Sequence, residues 1–468
     1  MNQRNKRRFF VLLGVSVFLL SSCCLHGEFR LSSTLNLSGE YTDRPLHRST
    51  NKDLDSFITI INPSLTLQFL NGENELSANY SFLYTYYDDP EVRDNQSKYH
   101  HNGRLRMNLL LTKKLKFEVT SNQRYSDLDS IIDTDQELDY KTKVFRSFNN
   151  ANLTYNYGPQ RDVGIRYNFT FFKYFGDVNL QKEQNNSQGT GFSLNHAFDT
   201  RNSIMMDYSY NFGKFYVGDE KDYIGRKRIH VGNFSYKFRI NKKLTISLSY
   251  LPKYWEYPDE DIEGDIYIRK HTFHEFRGTL GYVITEKLTS SYWIGYNKNE
   301  SEFKDDIDRY DNMTGGLDFS YQLRRLSLNI FSSYQVRETL YYTSSERRGS
   351  YKSLSGGLNA NLELWKDFFI FRLYANARND RYRNKEISTE EFRSDKIYYM
   401  GGEFITKPFR WLDISCGYNR VTKDSNDRDD IFNYTENRVY LNIGITFTPR
   451  LDFDSTGFYQ KSEPERII

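Results

Sequence analysis

A rhythm of turns constrains this chain more than any other feature. Nine short turn signals recur along it: "NGEN" (71–74), "TKK" (112–114), "GPQR" (158–161), "DTRN" (199–202), "NKK" (241–243), "TEK" (285–287), "LRR" (323–325), "WKD" (365–367) and "KPFR" (407–410). Their starts lie 38 to 46 residues apart. Each interval holds a strand-like stretch, a longer polar loop such as "DSIIDTDQELDYKTK" or "YPDEDIEGD", and a second strand-like stretch. Side chains on a strand point alternately to its two faces, so one wet and one apolar face give period two. In "LTISLSY", Leu244, Ile246, Leu248 and Tyr250 oppose Thr245, Ser247 and Ser249. In "LTSSYWIGYN", Leu288, Tyr292, Ile294 and Tyr296 share a face with Ser290, while Thr289, Ser291, Gly295 and Asn297 share the other with Trp293. Tilted one-sided strands of about ten residues cover an apolar band about 25 Å tall.

One strand before the first loop (about 30–41), two around each short turn and a last at about 434–447 make 20, within a range of 18 to 22. An even count leaves both termini on the side of the short turns, as in bacterial outer-membrane barrels. A soluble sandwich would not alternate short and long connections through nine cycles. A solenoid would keep recognisable identities in each repeat, and here only the pattern recurs. A string of small domains would need linkers rich in Pro, Gly or Ser. The expected fold is all-β: a transmembrane up-and-down antiparallel β-barrel with short periplasmic turns and longer extracellular loops, in the bacterial outer membrane.

Composition agrees. Only 38% of residues are hydrophobic and mean hydropathy is −0.74, which argues against helical spans. Yet the chain carries 38 Tyr and 35 Phe, residues that suit half-apolar strands. They crowd the strand ends nearest the long loops, as in "YTYY" (84–87), "FFKYF" (171–175), "YWEY" (254–257), "LYY" (340–342) and "KIYY" (396–399), where headgroups would meet hydrocarbon. A net charge of +3 leaves no basic footprint for nucleic acid.

Arg4, Lys6, Arg7 and Arg8 precede the apolar run "FFVLLGVSVFLL" (9–20), the pattern of a secretory signal. Cleavage after Gly27 is the first reading. The alternative is "LSSC" (20–23), a lipobox-like stretch that would lipidate Cys23. With cleavage at Gly27, Cys416 is the only cysteine of the mature chain and no intramolecular disulfide can form. The expected organisation is a signal peptide over 1–27, a barrel over 28–450 and a periplasmic tail over 451–468, as a monomer.

No constellation for catalysis stands out, and no cofactor or metal is expected. His271 and His274 of "HTFHE" lie three apart, so on a strand they point to opposite faces and cannot share a metal. The acidic stretches "DDPEVRD" (88–94), "DEDIEGD" (259–265) and "DSNDRDD" (424–430) read as solvated loops, with divalent cations bridging lipopolysaccharide as the alternative. By parity, Arg104, Arg106, Lys116, Glu118, Arg124, Arg166, Asp207, Lys237, Arg239, Asp318, Arg372, Arg378, Glu403 and Asp413 face inward, since these charges would be costly towards lipid. Arg104 and Arg106 are expected beside Lys116 and Arg124 of the next strand, and Arg372 shares a face with Arg378. Two readings stand: such patches guide an anionic solute or polymer, or mixed charges brace and solvate the wall.

The stretch "EFRLSSTLNLSGEYTDRPLHRS…DLDSFITIINPSLTLQF" adds a further signal, with "YTD" closing one strand, "DSF" opening the next and "INPSLTL" within it, ahead of the Tyr-rich "ELSANYSFLYTYY". Over roughly residues 28 to 125 it resembles the opening of outer-membrane β-barrel proteins found with exosortase and exopolysaccharide gene clusters. The resemblance implies an outer-membrane location and a link to polysaccharide export, and supplies no catalytic residues. The leading expectation is a passive, porin-like channel for polymer or small solutes, in contact with outer-membrane lipid and lipopolysaccharide. A structural barrel anchoring an envelope assembly is the alternative, and an enzyme is not expected. A barrel this wide encloses water unless something plugs it, and loop 126–143 is the longest candidate for a constriction.

Overall fold

The computed structural model of the protein describes residues 28–43, 55–88, 99–127, 143–175, 183–217, 222–256, 270–302, 307–337, 351–365, 368–385, 392–426, 433–448, 450–453 and 459–460. Ten strands form its first half: β1 (Glu28–Thr42), β2 (Ser56–Asn71), β3 (Asn74–Tyr87), β4 (Tyr99–Thr112), β5 (Leu115–Asp127), β6 (Lys143–Gly158), β7 (Arg161–Phe175), β8 (Glu183–Ala197), β9 (Asn202–Val217) and β10 (Asp222–Arg239). Ten more complete it: β11 (Leu244–Glu256), β12 (Lys270–Thr285), β13 (Leu288–Glu302), β14 (Ile307–Gln322), β15 (Leu326–Arg337), β16 (Tyr351–Trp365), β17 (Phe369–Lys385), β18 (Phe392–Phe409), β19 (Leu412–Ser425) and β20 (Tyr434–Phe447). Each pairs antiparallel with its chain neighbours, and β1 closes the ring on β20, from Ser33 opposite Phe447 to Thr42 opposite Arg438. Closure removes the sheet edges whose N–H and C=O groups lipid could not satisfy. Pairing also runs past residue 450, where the sequence reading ends the barrel. There β21 (Arg450–Phe453) resumes the ladder opposite Glu28–Arg30, and β22 (Tyr459–Gln460) pairs with β21.

Four of the short turns are set by their first residues. Thr112 Oγ1 accepts the N–H groups of Lys114 and Leu115 at 3.2 and 3.1 Å, and Thr285 Oγ1 those of Lys287 and Leu288 at 3.2 and 3.0 Å. Asp199 Oδ1 accepts from Arg201 and Asn202, and Asn241 Oδ1 from Lys243 and Leu244, at 2.6 to 2.9 Å. A short side chain that mimics a backbone acceptor reverses the chain locally, which is why Thr, Asp and Asn recur there. Gln160, at φ 54°, takes the left-handed backbone after Pro159, where a Pro-initiated turn demands positive φ.

Register carries one parity around the ring. Leu248 stands opposite Gly278, and Gly278 opposite Ile294. The outward parity bears the exposed apolar side chains, Ile165 at 63%, Leu248 at 57% and Ile294 at 61% among them. The interior is the reverse of a soluble protein's. Among the described residues six apolar side chains are buried against twenty-two polar or charged ones, so no apolar core exists to stabilise the sheet from within. A contiguous apolar exterior of this extent is a surface made for lipid. The chain is an outer-membrane β-barrel.

The aromatic rings correct one expectation. Tyr41, Phe57, Tyr86 and Tyr99 face outward at the loop end, but Trp365, Phe409, Trp411 and Phe447 form an exposed set at the turn end as well. Trp255 of "YWEY" is only 4% exposed and lies on the inward parity, because alternation sends every second ring of an aromatic cluster inside. "LYY" (340–342) lies outside the described residues.

Candidate functional site: the inward wall

The inward wall differs from end to end. At the loop end its side chains are almost wholly buried: Thr42, Ser56, His100, Val144, His271, Asn299, Asp380 and Asp395 are each 3% exposed or less. From mid-strand towards the short turns most inward side chains are half-exposed or exposed, Arg104, Arg106, Lys116 and Arg372 among them, although Asn108, Ala197 and Ile405 stay buried. The wall is thus mostly packed at the loop end, with Arg124 on β5 an exposed exception, and mostly accessible beyond it. The centre of loop 126–143 lies outside the described residues, as do most of "DDPEVRD", "DEDIEGD" and most of "DSNDRDD".

The residues that sequence parity assigns inward all lie on the parity opposite the apolar exterior, and the structure sorts them into two kinds. Arg104 on β4 faces Asn122, Arg124 on β5 faces Asn102 and Arg146, and Arg106 faces Thr120. Among the described residues none of these four arginines forms an ion pair. Arg124 and Arg146 are directly opposed like charges, an arrangement that costs stability unless water or an anion intervenes. Arg146 lays its guanidinium 4.7 Å from the Phe172 ring, and Phe148, two residues on, is half-exposed on the same face. Lys116 does not join them. It stands opposite Leu110, nearer the turn, and is held 2.6 Å from Glu118.

Most of the other assigned charges are paired. Arg372 lies 3.2 Å from Glu403 and Arg378 2.8 Å from Asp380, so the second basic patch expected from the sequence is a pair of ion pairs. Parity shows which residues share a face, whereas the Arg378–Asp380 contact depends on rotamers two residues apart on one strand, and the Arg372–Glu403 contact on register with a strand 31 residues away. Arg393 grips Asp395 through Nε at 2.9 Å and Nη2 at 2.8 Å, Lys423 stands 3.4 Å from the same carboxylate, and Ser425 donates to it at 2.6 Å. Lys407 lies 3.3 Å from Asp413, while Asn329 donates to Asp318 at 2.8 Å. Lys237 and Arg239 lie on the inward parity of β10.

Arg166 reaches across a whole strand to Asp207 at 3.0 Å, and Asn168 to Asn211 at 2.7 Å. Both pass over glycines of β8. A Cβ at Gly191 would lie 3.0 Å from Arg166 Nη2 and from the Tyr208 carbonyl, and one at Gly189 would lie 1.9 Å from Asn211 Oδ1. The readable signal was "QGTGFS", two glycines on one parity.

The "YTD" and "DSF" stretches close the barrel. Thr42 donates to Glu436 at 2.9 Å, Asp43 accepts from the Asn437 backbone and side-chain amides at 2.7 and 2.6 Å, and Tyr41 donates to Asp55 at 2.8 Å. Histidines are also accounted for structurally. His271 is buried inward beside Ser301 at 2.8 Å, whereas His274 faces outward to Tyr250 at 2.7 Å. His101, His196 and His230 make the same outward contact with Tyr80, Tyr157 and Tyr208 at 2.7 to 2.8 Å. Pairing in this way satisfies an imidazole on a lipid-facing wall.

No family model matches the chain, and no curated protein matches it. Solved structures do. The ferric enterobactin receptor PfeA of Pseudomonas aeruginosa is similar with a TM-score of 0.57 at 8% identity, covering 89% of this chain and 81% of that one. The copper transporter OprC is similar at 0.55 and 9%, covering 90% and 81%. The alcaligin outer-membrane receptor FauA of Bordetella pertussis is similar at 0.50 and 10%, covering 89% and 76%. At such identity the likeness concerns the fold.

Proposed function

We propose that this protein is a porin-like outer-membrane channel whose lumen favours anionic solutes. One observation carries the reading: the interior of the barrel is polar, with charged side chains accessible along its turn half, and that is a wall for water rather than a core. The unpaired Arg104, Arg106, Arg124 and Arg146 support the preference for anions, because fixed positive charge on a low-dielectric wall concentrates counter-ions. Passage is diffusion, without bond making. Short turns and both termini face the periplasm, the loops face outward, and the barrel acts as a monomer in lipid and lipopolysaccharide. The resemblance of residues 28 to 125 extends the reading to exopolysaccharide as cargo.

The test is osmotic swelling of vesicles that carry the purified protein. Vesicles in small neutral and carboxylated sugars of matched size should swell, and faster in the carboxylated series. Equal rates would remove the charge preference, and no swelling would remove the channel. A second reading, a structural barrel anchoring an envelope assembly, is favoured by the buried ion-paired cluster at the loop end, where Arg393 and Lys423 hold Asp395, and it predicts that last outcome.

A further inference from the structure

Some outward-facing cations at the loop end have carboxylates from their own chain. Arg228 lies 3.5 Å from Glu256 and Arg309 lies 3.1 Å from Glu300. The sector made by β16, β17 and β18 instead brings three cations together. Lys352 and Arg381 are direct cross-strand neighbours. Lys396 stands opposite Asn379, one diagonal step from Arg381, so neighbouring Cβ atoms lie within about 8 Å of one another. All three side chains are exposed, and among the described residues none forms an ion pair. Among the described residues the one carboxylate beside them on this face is Asp424, opposite Lys396, and it forms no ion pair with it. Immediately membraneward on the same parity come exposed Leu354, Tyr398 and Met400.

Opposed like charges destabilise a sheet. Three of them retained above an apolar band call for an anion that arrives with an apolar body attached. We propose that Lys352, Arg381 and Lys396 form a docking site for the phosphorylated headgroup of a membrane lipid, whose acyl chains lie against Leu354, Tyr398 and Met400. Arg381 supplies the planar fork suited to two phosphate oxygens, and the lysines supply point charges on either side. The site rests on the reading that the apolar exterior meets a bilayer, and it is independent of what crosses the lumen.

The experiment is native mass spectrometry of the detergent-purified full chain with added diphosphorylated lipid A, its monophosphorylated form or a neutral phospholipid. Wild-type protein should retain the diphosphorylated lipid at least about tenfold more than the neutral one. Lys352→Gln, Arg381→Gln and Lys396→Gln together should abolish that difference, while Arg228→Gln, in the self-paired sector, should leave it. Should the triple variant misfold, Arg381→Gln against Arg381→Lys makes the same comparison, with partial retention expected in the lysine form. Equal retention by wild type and variants overturns the proposal. Displacement of the lipid by millimolar inorganic phosphate would also overturn it, by making the site one for soluble anions. A barrel that inserts into vesicles yet shows no lipid preference refutes the site alone, whereas failure to insert refutes the membrane reading beneath it.

Discussion

Arginine at Ile294 and at Ser291 should have very different consequences. Ile294 lies on the outward parity of β13, 61% exposed, with Gly278 opposite it and Leu248 beyond on the same rung. It is six positions past Leu288, where the strand begins. At about 3.3 Å per residue that is roughly 20 Å along the strand. At a tilt of about 40° it becomes roughly 15 Å along the membrane normal, near mid-depth of a band about 25 Å tall. An arginine at that depth costs about 2–4 kcal/mol, or roughly 30- to 700-fold in the folded-to-unfolded ratio. Neighbouring glycines give it no polar partner to reach. Ser291 points the other way, into the wet turn half, where the change should stay below about 1 kcal/mol. The assay is denaturant titration of refolding into lipid vesicles, read by the gel mobility of folded barrel, with Leu248→Arg and Ser247→Arg as a second pair. Equal losses within each pair would refute the assignment of faces.

Further predictions follow from the contacts. Asp43→Ala removes both bonds to Asn437 at the seam between β1 and β20 and should cost about 1–3 kcal/mol in the same titration, whereas an unchanged midpoint would deny the seam its clamp. Asp395→Ala leaves Arg393 and Lys423 buried without their carboxylate and should cost about 3–5 kcal/mol; a smaller loss than at Asp43 would contradict the dry loop end. The carboxyl of Asp199, in the turn before β9, is held below the ordinary carboxylate range by the Asn202 side-chain amide and then by the Arg201 and Asn202 backbone N–H groups. Its contribution is present above the unfolded pKa and lost as pH falls through the lower folded value, so wild type should exceed Asp199→Asn in stability at pH 7 and converge with it in strong acid. Equal stability at both pH values would rule this out. For topology, cysteines at Asn71 and Asn241 in a Cys416→Ser background should resist impermeant labelling of intact cells, and one at Asp261 should label; the reverse pattern would invert the barrel.

The strands were legible because two local signals coincide, period-two alternation within each strand and a turn opened by Thr, Asp or Asn. Both act over a few residues, so the count of 20 could be read without a partner strand. Charge pairing was not legible. Whether Arg372 is free depends on Glu403, which register brings opposite it from 31 residues away. Arg146 escaped for a different reason. Around it the alternation inverts, with Phe148 inward while Ser147 and Asn149 face outward, hydrogen-bonded to each other at 2.9 Å and on to Ser121 at 2.7 Å. A polar group that satisfies itself on the apolar face hides the parity of its whole stretch. Gly191 was visible as a residue, but the Arg166–Asp207 contact it admits spans two strand pairings.

If the lumen is wet and its charge is set by β4 to β6, a single barrel in a planar bilayer carries ions whose selectivity those strands control. Purified barrel should give discrete open-pore steps of current. In a salt gradient the reversal potential should indicate anion preference, and Arg104→Gln, Arg106→Gln and Lys116→Gln together should move it towards cations. Most of that shift should come from the two arginines, because Lys116 is already paired with Glu118, and it should shrink at 1 M salt, where the Debye length is about 3 Å. A folded, inserted barrel that carries no current, even with loop 126–143 deleted, would contradict the channel. Current with unaltered selectivity in the triple variant would contradict the role given to that wall.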